Sequence, residues 1–259
     1  MVPLLPFARE WLATLALTPH AQVVGFHLLF NVALALLFIG LTTPVARWVD
    51  GWLAAPAPSG TERPNHLDPM ALDTPSLAMS CAAREALHQA DVVETMLRGM
   101  LTGIKDNDLA LGQKLRKMDD TVDELYSAIK YYLTKISREA LSEREGQRWT
   151  DIVSFTINME QIGDIVERVL QDVEDKKIRR GLSLSAAGMA EVAHLHERLL
   201  SNLRLGMSVF LDGHVRDAHR LLEQKAEFRD LERDYANAHL ARLSENTPQS
   251  IETSSLHID

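Results

Sequence analysis

From Ser76 onward the apolar residues of this chain recur in steps of three and four, and that spacing admits little but helices. Ala86, Ala90, Val93, Leu97, Met100 and Ile104 make one series. Leu115, Met118, Val122, Leu125, Ile129, Tyr132 and Ile136 make a second, and Ile152, Phe155, Met159, Ile162, Val166 and Val169 a third. Alternating threes and fours put one narrow apolar seam on each helix, as the helices of a bundle require. Gly146, Gly181 and Gly213 fall between seams and are read as the breaks. Two later helices are expected, over about Ala186–Leu211 and Val215–Leu243. A hydrophobic content of 46% with only 6% aromatics suits such helices better than sheets.

The first sixty residues differ in kind. Val23–Ala46 ("VVGFHLLFNVALALLFIGLTTPVA") carries no formal charge, and its only strongly polar members are His27 and Asn31. About 20 apolar residues suffice to cross a bilayer. Trp48 and Trp52 follow, where interfacial anchors belong. The segment 1–53 is therefore read as a membrane segment with its span at about 23–46. An earlier apolar run, Val2–Leu17, is interrupted by Arg9 and Glu10 and lacks the basic start of a secretory signal. It reads as interfacial, or as the tail of a longer membrane helix. Basic residues follow the span, beginning at Arg47 and Arg63, and none stands in the "TPHAQ" that precedes it. That asymmetry predicts that the helical part faces the cytoplasm. Five of the ten prolines (Pro56, Pro58, Pro64, Pro69, Pro75) lie in 54–75, which is read as a stiff, extended linker.

Charge narrows the function classes. Of 27 basic and 36 acidic residues, only Arg9, Arg47, Glu10 and Asp50 precede Gly60, so the net charge of −9 belongs to the helical part. A nucleic-acid binder would lean the other way. The single cysteine, Cys81, excludes an internal disulfide and a thiolate metal cage, and is read as a small buried hydrophobe.

A faint repeat runs through the helical part. "LRGMLTGIKDND" near Leu97 resembles "LRLGMSVFLDGH" near Leu203; Gly99-Met100 matches Gly206-Met207, and Lys117 matches Lys225. Helix one then pairs with helix four and helix two with helix five. A counterpart of helix three would begin near residue 260. The expectation is an all-α chain with a first three-helix bundle over 76–182 and a second, over 183–259, that lacks its last helix.

Carboxylates mark the seam edges. Asp119 and Asp123 lie four apart, as do Asp120 and Glu124. In "NMEQIGDIVERV" (Asn158–Val169) Glu160 and Asp164 repeat the spacing around Gly163. Residues at i,i+4 share a helix face, so like charges there repel, and an interior glycine costs about 1 kcal/mol relative to alanine. Asp119, Asp123 and Glu160 each sit one position past a seam residue, at the edge of the core. Carboxylates from adjacent helices can converge there, and converging carboxylates need a cation. A solvated acidic flank is the alternative that spacing alone leaves open.

These stretches, with "LDPMALDTPSLAMSCAAREALHQADVVETML" and "KMDDTVDELYSAIKYYL", resemble the PhoU-like cytoplasmic domain that ends bacterial Na/Pi cotransporter family proteins. "FHLLFNVALALLFIGLTTPVARWVD" resembles their last membrane helix. The resemblance implies paired three-helix bundles and an iron or zinc cluster held on E/D-x-x-x-D motifs, here Asp119 with Asp123 and Glu160 with Asp164, Asp120 and Glu124 being adjacent. It implies a regulatory part in sodium-dependent phosphate transport, without transport by this chain itself. The alternative is a metal-binding signalling adaptor of phosphate homeostasis. The partners implied are the membrane and a transporter core or phosphate-signalling proteins, with a homodimer as a further option and no nucleic acid. In the second unit the motif is degraded: Glu227 and Leu231, or Lys225 and Arg229, stand where the acidic pair would be.

No enzyme signature accompanies these features. There is no Gly-rich phosphate loop, nucleophile elbow or H-E-x-x-H. His194 and His196, two apart, point different ways on a helix. "EVAH" (Glu191–His194) is a single Glu-x-x-His of the kind that di-iron carboxylate enzymes use in pairs.

Overall fold

The computed structural model describes residues 19–52, 64–136 and 141–258, and among them the ordered elements are helices without a strand. The apolar run Val2–Leu17 lies outside the described residues, as do the side chains of Trp48 and Trp52. The chain divides into two units, Met1–Gly60 and Thr61–Asp259.

In the first unit, α1 (Pro19–Trp52) is one continuous helix with Pro44 inside it. At 1.5 Å per residue its 34 residues extend about 51 Å. Within it Val23–Thr42 is long and apolar enough to cross a membrane, and none of that stretch is buried against protein. Its polar side chains turn onto their own helix: Asn31 Nδ2 donates to His27 O at 2.7 Å and Thr42 Oγ1 to Ile39 O at 2.7 Å. Such internal satisfaction is what a hydrocarbon environment demands.

The second unit is built on α2 (Pro75–Asp106), α3 (Leu109–Thr134) and α4 (Glu143–Val173), packed against one another. Pro75, whose missing N–H costs nothing at a first helical position, opens α2. Asn107, in the left-handed region at φ 55°, closes it. Asp108 then caps α3, its carboxylate accepting from Leu111 N at 2.9 Å. A turn this short forces α2 and α3 antiparallel. The seams read from the sequence are the core: Ala86, Ala90, Val93, Val122, Leu125, Ile129 and Ile152 are inaccessible to solvent. Full burial of a leucine or isoleucine contributes about 1.5–3 kcal/mol.

Two details depart from the sequence reading. Gly146 is not a break: Ser142 and Glu145 form a capping box that starts α4 ahead of it, so Gly146 sits in the first turn. Gly181 and Gly213 do lie at breaks, both at φ +65°. The end of the proline-rich stretch is not an extended spacer. A 3-10 turn over Pro69–Asp73, capped by Asp68, buries Ala71, while Leu67 and Leu72 pack on the core. Tyr132 Oη donates to Asp68 O at 2.7 Å and His66 N to the buried Glu85 carboxylate at 2.6 Å, fastening this segment to the bundle.

Past Val173 the helix widens into a π-helical turn, Glu174–Ile178. The turn aims Lys177 inward, where Nζ donates to Ile104 O at 2.7 Å and to Asn107 Oδ1. A buried cation thus meets the last carbonyls of α2. Then α5 (Ala186–Asp212) and α6 (Val215–Ser244) form a hairpin, followed by short α7 (Pro248–Glu252) and α8 (Ser254–Ile258). Helix α5 also packs on α2: Leu203 joins the core, and His196 Nε2 lies 2.6 Å from Leu97 O. His194 points elsewhere, to Tyr235 Oη at 2.6 Å, so the two histidines are separated as their spacing requires. Glu191 holds Arg242 in a two-point pair at 2.6 and 2.7 Å.

The repeat has a structural echo. A Cβ on Gly99 would fall 2.7 Å from Leu115 Cδ2, and one on Gly206 would fall 3.9 Å from Leu221 Cδ2. In each hairpin a glycine of the first helix admits a leucine of the second, tightly in the first and loosely in the second.

Candidate metal centre

The middle of α3 and the middle of α4 cross where both carry carboxylates. Asp119 and Asp123 lie one turn apart on α3, and Asp164 faces them from α4. One carboxylate oxygen of each lies within 4.8 Å of the other two. Asp123 and Asp164 are exposed, whereas Asp119 is only 8% exposed. Its Oδ1 is buried without a hydrogen-bond partner. An ionised oxygen left so would cost several kcal/mol.

Glycine 163 explains why Asp119 can sit there. A Cβ at that position would fall 2.6 Å from Asp119 Oδ1 and 3.3 Å from Val122 Cγ1. The missing side chain is the space the carboxylate occupies. The helical cost of this glycine is therefore tied to an acidic oxygen, not to a bend or a turn.

The electrostatics are those of a site short of a positive charge. Burial, and after it the carboxylates of Asp123, Asp164, Glu167 and Asp120, raise the Asp119 pKa from 3.8 to about 7. Burial and then Asp164, Asp120 and Glu167 push Asp123 up. Glu160 is raised by burial, then by Asp164 and Asp123. So Glu160 is within electrostatic reach of the centre but is not one of the three converging groups. Asp120 and Glu124 are exposed on α3 and are not among the three either.

The residues present fit a cation. An orphaned buried oxygen, two further carboxylates at ligand spacing and a glycine cradle make an all-oxygen donor set without histidine or cysteine. Hard cations take such sets, whereas zinc sites draw mainly on nitrogen and sulfur. Sequence reasoning passed over Glu167, whose carboxylate lies 3.5 Å from Arg116 Nε and feeds the same field. Its signal was the step Glu160, Asp164, Glu167 along one face of α4.

Residues 87–173 match the family model described as PhoU domain. That stretch takes in α2 from Leu87, all of α3 and all of α4, and so contains the whole carboxylate centre. That stretch is thus similar to a PhoU domain, and it is a helical bundle here. It is 39% identical over 259 residues to the protein named "Putative inorganic phosphate export protein YjbB" of Escherichia coli (strain K12), covering 100% of this chain and 48% of that protein. The protein of the same name from Salmonella typhimurium is 38% identical, covering 98% of this chain and 48% of its own length. The chain thus spans about half the length of the curated relatives it matches. No solved structure gives a significant match.

Proposed function

We propose that this chain is the regulatory, PhoU-bearing portion of a phosphate transport protein, held in the inner membrane by α1 with its helical unit in the cytoplasm. The observation that carries the reading is similarity along the whole chain, apolar helix included, to relatives named for phosphate export. In this reading Asp119, Asp123 and Asp164 hold a metal ion, with Glu160 as an additional ligand within reach. Oxygen-only ligation favours iron over zinc. The ion neutralises the crossing of α3 and α4 and so fixes the bundle face that meets a transport core. Sodium coupling belongs to that core, since nothing in the described helices supplies a path for an ion.

The test is phosphate release from cells that express the protein from its own locus, with and without Asp119→Asn plus Asp123→Asn. A changed net phosphate flux at an unchanged membrane level of the protein supports the reading. The parental flux in the double variant removes it.

A further inference from the structure

Helices α2 and α4, the first and third of an up-down-up bundle, begin at the same end of it. Between their first turns lies a cleft of about 420 Å³. Ser76, Met79, Ser80 and Ala83 line it from α2, and Arg144, Glu145 and Arg148 from α4, with Ser142 at the cap of α4; the Ser80 hydroxyl donates to Ser76 O at 2.9 Å. Helix N-termini carry a partial positive charge and unpaired N–H groups, and here two parallel helices contribute. That of α2 is open: Thr74 makes no side-chain cap, and Pro75 at the first position has no N–H to offer. The N–H groups of Ser76 and Leu77 are left outside the helix's own ladder.

Two guanidinium groups add full charge. Arg148 is half-buried and fixed: it donates to Phe210 O at 2.8 Å and lies 4.6 Å over the Phe210 ring, itself stacked on Phe155 at 3.9 Å. Arg144, one turn earlier, is exposed at the rim. Neither has a carboxylate partner among the described residues. The one acidic residue of the lining, Glu145, is turned away into the capping box, where Oε2 accepts from Ser142 N at 2.9 Å and from Ser142 Oγ at 2.8 Å. The carbonyl end of α3, at the same end of the bundle, is covered at Leu133 O by Trp149 Nε1 at 3.2 Å. A half-buried, immobilised arginine with no carboxylate partner among the described residues, beside the Ser76 hydroxyl and the first N–H groups of α2, suits a tetrahedral oxyanion.

We propose that this cleft binds a phosphoryl group, as free inorganic phosphate or as the monoester of a small molecule. Arg148 and Arg144 grip the oxyanion by their forked N–H groups, and the Ser76 hydroxyl and the α2 N-terminus complete the donors. The cleft has more room than a bare oxyanion fills, so an ester is accommodated. Arg148 and Asp164 are sixteen residues apart on α4, about 24 Å along its axis. The site is distinct from the carboxylate centre and does not depend on that reading.

The experiment uses the full chain in uncharged maltoside micelles, stripped of metal by chelator so that phosphate cannot bind through an ion. The side-chain Nε–H resonances of Arg144 and Arg148 are followed by ¹H–¹⁵N NMR while inorganic phosphate, or AMP, replaces chloride at constant ionic strength. The expected result is saturable movement of both resonances. Arg144→Gln, which removes no packing, should weaken the affinity about tenfold or more while leaving the melting midpoint at the parental value. Saturation by AMP alone identifies the ligand as an ester; saturation by both identifies the phosphoryl group itself. Linear movement with both ions, or parental affinity in Arg144→Gln, overturns the proposal.

Discussion

Replacing Gly163 by alanine separates the two consequences of its position. The new Cβ would lie 2.6 Å from Asp119 Oδ1, a contact that cannot persist, and 3.3 Å from Val122 Cγ1. The aspartate is the party that can yield, a short side chain at the edge of the core, whereas Val122 is fully buried. Asp119 must therefore swing out of the centre. In the metal-free protein the losses and gains nearly offset. Alanine recovers about 1 kcal/mol of helix propensity and releases a buried carboxylate from its neighbours, while crowding Val122 costs on the order of 1–2 kcal/mol. Metal binding has no such compensation, because one of three ligands has left. Melting temperatures recorded with chelator, and with iron(II) or manganese(II), provide the assay. The expectation is a melting point within a few degrees of the parent without metal, and loss of most of the metal-dependent rise. That rise reflects RT ln(1 + [L]/Kd), about 2.7 kcal/mol at a hundredfold excess over Kd. A Gly163→Ala protein with the full parental metal response would refute the reasoning, since the cradle would then serve only helix packing.

Further outcomes follow from the same geometry. Because the folded-state pKa of Asp119 is raised above its unfolded value, the folded protein holds the proton more tightly. Apo stability should therefore fall as pH rises from about 4 to about 7 and level off above, by at most about 4 kcal/mol from this group; urea titrations should show a clearly shallower slope in Asp119→Asn than in the parent, the remainder coming from Asp123 and Glu160, whose carboxyls are also raised. The double change Glu160→Gln with Asp164→Asn should raise apo stability slightly and abolish the metal-dependent shift in melting temperature; a parental shift would make that face merely solvated. Lys177→Ala leaves Ile104 O unsatisfied at the end of α2 and should cost about 2 kcal/mol in denaturant unfolding. Tyr132→Phe removes the bond to Asp68 O and should cost about 1 kcal/mol, seen as faster hydrogen exchange in residues 66–74, and unchanged exchange would show that the turn is held otherwise.

The helices were legible because a 3.6-residue period is written directly in seam residues such as Val93, Val122 and Ile152. The Asp119–Asp123 pair was legible for the same reason, being one turn of one face. What the sequence withheld was rotation between helices. Whether α4 offers Glu160 or Asp164 to α3 depends on how the two helices cross, and Asp164 is the one that meets the pair. Gly163 looked like a defect because its partner, Asp119, is forty-four positions earlier in the chain and on another helix. Gly146 looked like a break because the period of the seams carries no information about caps; the Ser142–Glu145 box does. The cleft between the starts of α2 and α4 was invisible for a related reason. Ser76 and Arg148 become neighbours only once the up-down-up order puts two N-termini at one end.

Manganese(II) binding followed by electron paramagnetic resonance tests the central claim most directly, in the full chain and in the triple variant Asp119→Asn, Asp123→Asn, Asp164→Asn. The account predicts at least one tight site in the parent, competed by iron(II), and none in the triple variant, whose fold is retained because asparagine keeps the shape of each side chain. Equal binding by the two proteins would contradict it.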